Sequence, residues 1–296
     1  MTATIAGSLT DVGIEPIVMK GPTFARWLYL DGVRMYGDAD LLVDPDDWER
    51  ALETLRTLGF VDSLSEMAHP RMESQRSWAL CRGHEQVDLH ASIAGLEAPA
   101  ARVWRTLRSH AQPFDVDGTP LLAFDEVART MHVALHAAQH PSGEGSKQGE
   151  DLRRALKTVD IDTWAGARDL ALELAGGPAF AAGLRTLPEG AALARVIGVH
   201  GLRSVKHELR SAGVPVAEAL NDLLTASGMP ARLDILRAEL LPNRAFMRWN
   251  HRLARRGWRG LVASYPLRWA SLTARLPGGA IMLARTRRRV GREPPL

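Results

Sequence analysis

The stretch that decides the fold lies near the N-terminus and reads RMYGDADLLV from Arg34 to Val43. Acidic and apolar side chains alternate there before the run becomes wholly apolar, which predicts a strand at 35–43 that ends in the core. Residues i and i+2 of a strand point to the same side, so Asp38 and Asp40 present two carboxylates on one face. Ionised carboxylates a few ångströms apart repel each other, and a divalent cation such as Mg²⁺ removes that cost.

The spacing Asp-x-Asp is weak evidence by itself. Three further pairs occur in the chain: Asp44/Asp46, Asp115/Asp117 and Asp160/Asp162. They fall at a predicted helix start, a turn and a helix junction. A second predicted strand, 87–93, places Asp88 and His90 on one face. Acidic side chains within a strand are solvated, paired or metal-bound. Asp38, Asp40 and Asp88 therefore indicate a metal site, and the alternative is an edge strand whose acids face water.

The first 120 residues predict an α+β domain. Its predicted elements are, in order, a buried strand at 16–19, a helix at 23–30, the strand at 35–43, a helix that begins near Asp44, and hairpins at 77–93 and 114–124. Asp44 is a typical N-cap, with Pro45 at the first helical position. Asp117-Gly118 is a typical hairpin turn.

After residue 124 the apolar residues recur with helical spacing. The predicted helices span 127–140, 152–159, 167–175, 192–209, 216–225 and 231–241. We therefore expect a core at 1–120, an all-helical domain at 121–242 and a basic helical tail at 243–296.

The composition restricts the class of protein. The chain has 296 residues, 46% of them hydrophobic, which is typical of globular proteins. Its single cysteine, Cys81, excludes a disulfide scaffold and fits a reducing compartment. Residues 1–10 lack the basic and apolar regions of a signal peptide, and no run of about 18 uncharged apolar residues occurs. We expect a cytoplasmic protein without a transmembrane segment.

The net charge of +3 conceals an asymmetry. Residues 243–296 contain 13 arginines and one acidic residue, Glu293, whereas residues 1–242 have an excess of acids. Arginines recur every three or four residues from Arg244 to Arg259, with Phe246 and Trp249 on another face, which predicts an amphipathic basic helix. Its partner is a nucleic acid, an anionic membrane surface, an acidic peptide or the acidic body of the protein itself.

Three histidines, His132, His136 and His140, follow one face of a predicted helix. Zinc binding is one interpretation, but the chain offers no adjacent glutamate in an H-E-x-x-H arrangement and no cysteine partner. The second interpretation is packing, with His136 next to a substrate cleft.

Several motifs together resemble the DNA polymerase β-like nucleotidyltransferase superfamily, and within it a bacterial branch of uncharacterised nucleotidyltransferases. The motifs are Met19-Lys20-Gly21, Leu28-Tyr29, the run 34–43, Leu58-Gly59-Phe60 and Val87-Asp88-Leu89-His90. Weaker similarity continues at 135–140 and 150–152. The superfamily usually has a Gly-Ser step where this chain has Lys20-Gly21-Pro22-Thr23, as the uncharacterised branch does.

The resemblance implies a mixed sheet with flanking helices, followed by an all-helical domain. It also implies that two Mg²⁺ ions are bound by Asp38, Asp40 and Asp88, with Asp88 assisting deprotonation of the acceptor. The expected activity is transfer of a nucleotide from an NTP, expected to be ATP, to an unidentified acceptor, with release of pyrophosphate. A peptide, a protein and a small molecule all remain open as acceptors.

Four further residues are candidates for nucleotide binding. Lys20 and Gly21 lie at the turn where backbone N–H groups and an ammonium favour phosphate. Arg34 is expected to contact the triphosphate or to pair with the acids, and His90 to support the metal ligands or contact substrate. The alternative for Lys20 and Arg34 is ordinary surface charge. The alternative for the whole chain is a non-catalytic module whose basic tail binds nucleic acid or an acidic partner.

Overall fold

The computed structural model describes residues 1–30, 32–62, 77–139, 146–226 and 228–291. These residues form two compact units, one made of 1–62 and 77–202 and the other of 203–291. The helical region at 126–196 thus lies in the same compact unit as the sheet. The division into functional domains at residues 120 and 242 stays a prediction.

The first unit contains a mixed sheet. Its described strands are β1 (Ile17–Val18), β2 (Asp38–Leu42), β3 (Val61–Asp62), β4 (Ser77–Arg82), β5 (Glu85–His90), β6 (Ala111–Val116) and β7 (Thr119–Phe124). Their order across the sheet is β3-β4-β5-β2-β1-β7-β6. The pairs β2–β5 and β1–β7 are parallel and the other pairs antiparallel. The predicted mixed sheet with flanking helices is therefore confirmed.

Helices surround this sheet. Those of the first unit are α1 (Thr2–Thr10), α2 (Pro22–Leu28), α3 (Trp48–Thr57), α4 (Ala100–Ser109), α5 (Glu126–Gln139), α6 (Lys147–Thr158), α7 (Ile161–Glu173), α8 (Gly177–Leu184) and α9 (Pro188–Val196). A 3₁₀ turn at Pro45–Asp47 precedes α3, and the Asp44 side chain caps it by accepting a hydrogen bond from the backbone N–H of Asp46.

The described part of the second unit is helical. Its helices are α10 (Val205–Ser211), α11 (Pro215–Thr225), α12 (Met229–Leu240), α13 (Arg244–Asn250) and α14 (Gly257–Val290), with a 3₁₀ turn at Arg252–Arg255. Within the described segments, no helix is both long and apolar enough to cross a membrane.

Alternation along the strands builds a separate core on each face of the sheet. Val18 and Leu41 pack with α1 and α3, whereas Ile17 and Leu42 pack with residues of α2 and of α4 to α9. Because Asp40 has the same parity as Leu42, it faces the second of these cores. The central strands thus expose their polar positions to the more helical side of the sheet.

Most of the predicted elements are confirmed. The hairpin turn at Asp117-Gly118 has φ values of 53° and 82°, as the sequence signal requires. The strand predicted at 35–43 is shorter and begins at Asp38.

Two segments that the sequence predicts as single helices are each divided in the structure. The segment 192–209 forms two helices, α9 and α10, and Gly198 between them has a φ of 75° that a helix cannot contain. The tail from Arg244 is likewise divided into α13, a 3₁₀ turn and α14, with Gly257 at a φ of 84°. Apolar spacing continues across both breaks, which is why the pattern did not reveal them.

Close packing of α8 on α5 gives a stability prediction. A Cβ on Gly183 would lie 1.8 Å from the carbonyl oxygen of Ala134, so backbone has to move to accept any side chain. We expect Gly183→Ala to lower the free energy of unfolding by about 3 kcal/mol in a denaturant titration. The control is Gly7→Ala in α1, where a Cβ meets nothing within 4 Å and helix propensity favours alanine. Equal stability of the two variants would contradict the packing.

Candidate metal and nucleotide site

Strands β2 and β5 bring the acidic residues together. In their parallel register Asp40 lies opposite Asp88, and Leu42 lies opposite His90. Val87 and Leu89 point into the core against α1 and α3, so Asp88 and His90 face the other side with Asp40. Two neighbouring strands therefore present three ligand-type side chains on one face.

The three side chains form a compact group. Asp40, Asp88 and His90 each offer a ligand atom, and these atoms lie within 4.8 Å of one another. The Nζ of Lys20, in the turn after β1, lies 2.6 Å from Oδ1 of Asp40. The Asp40 side chain is 2% exposed, whereas those of Lys20 and His90 are 14% and 17% exposed. The group is thus closed on the Asp40 side and accessible beside Lys20 and His90.

The donor set fits a divalent cation. Nε2 of His90 lies 3.7 Å from Oδ1 of Asp40. It is buried, and within the described residues no group makes a hydrogen bond with it. Two carboxylates and one imidazole are ligands for Mg²⁺, Mn²⁺ or Zn²⁺, and a bound cation would satisfy the imidazole nitrogen. The sequence predicts for His90 only support of the metal ligands or contact with substrate.

The two carboxyl groups have opposite pKa shifts. Burial alone would raise the pKa of Asp40, but the Lys20 ammonium and His90 outweigh it and hold this pKa well below its usual range. Burial, followed by the charge of Asp40, raises the pKa of Asp88, although Gln86 donates a hydrogen bond to its Oδ1 at 3.0 Å. Asp40 is therefore the carboxyl group that stays charged, and Asp88 is the one that takes up a proton more readily.

The structure places Asp38 outside this group. Asp38 is half-buried at the start of β2, opposite Gln86. Within the described chain, the close grouping of ligand atoms contains Asp40, Asp88 and His90 without it. Its role as a metal ligand stays a prediction.

Gly21 shapes the turn that carries Lys20. Its φ is +66°, and a Cβ there would lie 3.3 Å from the ring of Tyr36. Both facts favour glycine, because a side chain would be strained and would press on the ring. The backbone N–H of Met19 donates to the carbonyl of Asp40 at 3.0 Å, which continues the β1–β2 pairing up to Lys20.

Arg34 is held by a residue that the sequence did not assign to the site. Its Nε and Nη2 donate to the two carboxylate oxygens of Asp151 in α6 at 2.9 and 2.8 Å. The hydroxyl of Tyr29 also donates to Asp151, at 2.8 Å. Arg34 and Asp151 are both buried. The acid that pairs with Arg34 is thus Asp151 and not one of the acids expected from the sequence, and contact of Arg34 with the triphosphate stays a prediction. The sequence signal that points to Asp151 is its position as an acidic residue directly before the apolar helix predicted at 152–159.

The histidines of α5 pack beneath the site. The buried ring of His132 makes edge contacts with Phe24 and Phe124, at centroid distances of 5.8 and 6.0 Å. It also hydrogen-bonds with the backbone of Met19. The ring of His136 lies 6.1 Å away, and His140 lies outside the described residues. The grouping of metal-ligand atoms found in the described segments includes neither His132 nor His136, and these contacts fit the packing interpretation.

The mixed sheet carries this lysine-paired carboxylate group on its parallel strands β2 and β5. Residues 1–189 match the family described as uncharacterised nucleotidyltransferase, and the chain belongs to that family. Among proteins of curated function no significant match is found. One similar solved structure is that of the antibiotic-resistance factor ANT(2'')-Ia, at 15% identity and a TM-score of 0.41, covering 58% of this chain and 89% of the other.

The ion pair between Lys20 and Asp40 leads to a prediction about metal binding. Lys20→Met leaves a buried carboxylate without its counter-charge, so we expect the free energy of unfolding in metal-free buffer to fall by about 3 kcal/mol. Mn²⁺ or Mg²⁺ then compensates the same carboxylate, so the melting temperature should rise more in this variant than in the wild type. The control is Lys157→Met, which changes an exposed lysine of α6. An equal metal response in all three proteins would contradict the cation site.

Burial of His132 predicts a pH-dependent stability. Burial, followed by the charge of Lys20, lowers its pKa from 6.5 to about 3. Below pH 6.5 the unfolded chain binds a proton that the folded protein does not, so stability is lost as the pH falls from about 6.5 towards 3. The slope from this residue is at most about 1.4 kcal/mol per pH unit.

Denaturant titrations between pH 7 and pH 4.5 measure this slope. We expect His132→Gln to flatten it, while the matched surface change His84→Gln serves as the control. The same slope in wild type and His132→Gln would show that His132 is not the group that resists protonation.

Proposed function

We propose that the protein transfers a nucleotide from an NTP to an acceptor hydroxyl and releases pyrophosphate, with a divalent cation bound by its central acidic residues. The observation that carries this proposal is the grouping of Asp40, Asp88 and His90 beside Lys20 in a member of a nucleotidyltransferase family. In the reaction the acceptor oxygen forms a bond to the α-phosphorus, the bond to the pyrophosphate oxygen breaks, and the hydroxyl proton is lost.

Asp40 and Asp88 are the proposed ligands of the cation, and His90 is a third donor. Asp38 lies at an i, i+2 position on the same strand, and we propose it as the ligand of a second Mg²⁺. When bound, the metal neutralises triphosphate charge and lowers the pKa of the attacking hydroxyl. The low pKa of Asp40 keeps a negative charge at the ligand position throughout the ordinary pH range.

Lys20 and Gly21 are the proposed contacts of the triphosphate. The Lys20 side chain is partly exposed, and its ammonium is a point charge suited to phosphate oxygens. Gly21 has no side chain to block the approach of a phosphate to the turn. Arg34 is proposed to act as a positioning residue, because its bonds to Asp151 hold the segment that leads to Asp38.

Asp88 is the proposed acceptor of the hydroxyl proton. Its raised pKa, caused by burial and by the charge of Asp40, makes its carboxylate a better base than an ordinary aspartate. A pair of carboxyl groups with pKa values shifted in opposite directions is typical of sites where one acts as a fixed charge and the other exchanges a proton.

Exposed apolar side chains between α2 and β2 support an acceptor with an apolar part, such as a peptide. Leu30, Val33 and Met35 are 87%, 81% and 79% exposed. Tyr36, in the same segment, lies against the turn at Gly21. This segment leads directly into the acidic residues of β2. We propose ATP as the first NTP to be tested and the cytoplasm as the location of the reaction.

Substitution of the acidic residues tests the proposal, and its NTP-binding measurement needs no knowledge of the acceptor. Thermal-shift titration with each NTP and Mg²⁺ should raise the melting temperature of the wild type, because a ligand that binds the folded state stabilises it. We expect Asp40→Asn and Asp88→Asn to lose this shift and to slow pyrophosphate release by more than about 100-fold. The control is Asp46→Asn, an exposed member of another Asp-x-Asp pair.

Two outcomes would reject the assignment. One is an NTP-dependent shift of wild-type size in both Asp40→Asn and Asp88→Asn. The other is pyrophosphate release that all three variants retain.

A further inference from the structure

Helix α14 has an apolar outer face. Along it, Trp258, Val262, Trp269 and Leu276 recur at intervals of four and seven residues, which places them on one side of a helix. These four side chains are 41% to 70% exposed. Leu267 and Ile281 follow Val262 and Leu276 by five residues, which places them about 140° further round the helix; they are 56% and 53% exposed. The uncovered apolar surface thus extends over more than five turns of the helix.

The inner face of α14 is fixed within its own unit. Leu261, Ser264, Gly279, Leu283 and Thr286 are among its buried residues. A Cβ on Gly279 would lie 2.9 Å from the side chain of Val216 in α11. Trp269 of the outer face is also held within the unit, because its indole N–H donates to the carbonyl of Leu240 at 2.8 Å. The helix therefore cannot turn its apolar outer face inward without breaking these contacts.

Arginines stand at both ends of this face. Arg255, Arg256 and Arg259 lie at its N-terminal end and Arg285, Arg287, Arg288 and Arg289 at its C-terminal end. From residue 243 to residue 291 the sequence contains no aspartate or glutamate. Between the two groups, from Val262 to Ala284, the sequence contains two arginines. Arg268 is mostly buried against Glu239, and Arg275 is exposed.

We propose that this face of α14 binds an anionic phospholipid surface and lies parallel to it. A lipid surface offers an apolar interior beneath a layer of negative headgroups, which matches an apolar face with arginines at its ends. Exposed tryptophans such as Trp258 and Trp269 favour the boundary between the two layers. Within the described segments no helix qualifies to span the bilayer, so binding in the plane of the surface is the arrangement that this helix supports.

Charge argues against the other partners. Two copies of α14 packed face to face bring arginine groups together in either direction, with no acidic residue in 243–291 to compensate them. A nucleic acid satisfies the arginines but leaves the apolar stretch between them against a charged, hydrated backbone. The lipid surface is the partner whose chemistry matches both features.

Co-sedimentation of the full chain with vesicles tests the proposal. We expect binding to vesicles that contain about a quarter phosphatidylglycerol, weaker binding to phosphatidylcholine alone, and a decrease with salt. In the anionic vesicles, Trp258 and its neighbours should also give a blue-shifted tryptophan emission.

Two sets of variants separate the apolar and the basic contributions. We expect Val262→Ser, Leu267→Ser and Ile281→Ser combined to weaken partition more than about tenfold. The matched control changes three exposed apolar residues of the first unit, Ile161→Ser, Leu172→Ser and Val196→Ser. The contribution of charge is tested with three single variants. We expect each of them to weaken the partition about fivefold: Arg256→Gln, Arg285→Gln and Arg288→Gln. The controls change exposed arginines of the first unit, Arg102→Gln, Arg105→Gln and Arg195→Gln.

Four results would overturn the proposal. They are equal binding to neutral and anionic vesicles, an unchanged partition of the serine variant, a dimer in solution that the serine variant converts to a monomer, and retention by an RNA oligonucleotide without retention by vesicles. Each variant's circular dichroism and melting curve confirm that it is folded, so a loss of binding reports on the surface itself.

Discussion

The ion pair between Lys20 and Asp40 is the interaction on which the site depends. A carboxylate that is 2% exposed is stable in a sheet only if a positive charge accompanies it. Lys20 provides that charge from the turn after β1, and the positive φ of Gly21 lets the chain bend at that point. The pair therefore links the central strands to the turn and leaves the carboxylate ionised. A divalent cation at the same carboxylate would compete with the lysine, so the proposed metal binding and a movement of Lys20 would be parts of one equilibrium.

The two faces of the sheet differ: one is packed as an apolar core, and the other also carries the polar residues of the candidate site. On one face, Leu41 and its neighbours pack with α1 and α3 in a core without functional groups. On the other face, the same strands carry Asp40, Asp88 and His90 beneath helices that add the buried rings of Phe24 and His132. These strands are buried on both faces and are therefore rigid. The sheet itself thus holds the side chains of Asp40, Asp88 and His90 in place, without help from loops. The proposed reaction uses that rigidity.

The sequence predicted the sheet and placed Asp40 and Asp88 on one face of it because the signals are local. Asp40 and Asp88 lie on strands along which polar and apolar residues alternate, and this alternation alone assigns both side chains to one face of the sheet. Asp151 was not recognised because its partner, Arg34, lies more than 100 residues earlier in the sequence, and no local pattern encodes that distance. The position of Asp38 outside the ligand group does not follow from its spacing to Asp40, because spacing assigns a face of the strand and not a distance. The breaks at Gly198 and Gly257 were missed because apolar periodicity continues through them.

The contact of Arg34 with Asp151 also has a consequence for the order in which parts of the structure form during synthesis. Asp151 lies on α6, which the ribosome synthesises well after β2 and β5. During synthesis the strands can therefore pair while Arg34 is still without its carboxylate partner. A growing chain can thus hold Asp40, Asp88 and His90 on paired strands before the segment that leads to Asp38 has its contact with α6. Docking of the helical layer, rather than pairing of the sheet, completes the buried ion pair between Arg34 and Asp151.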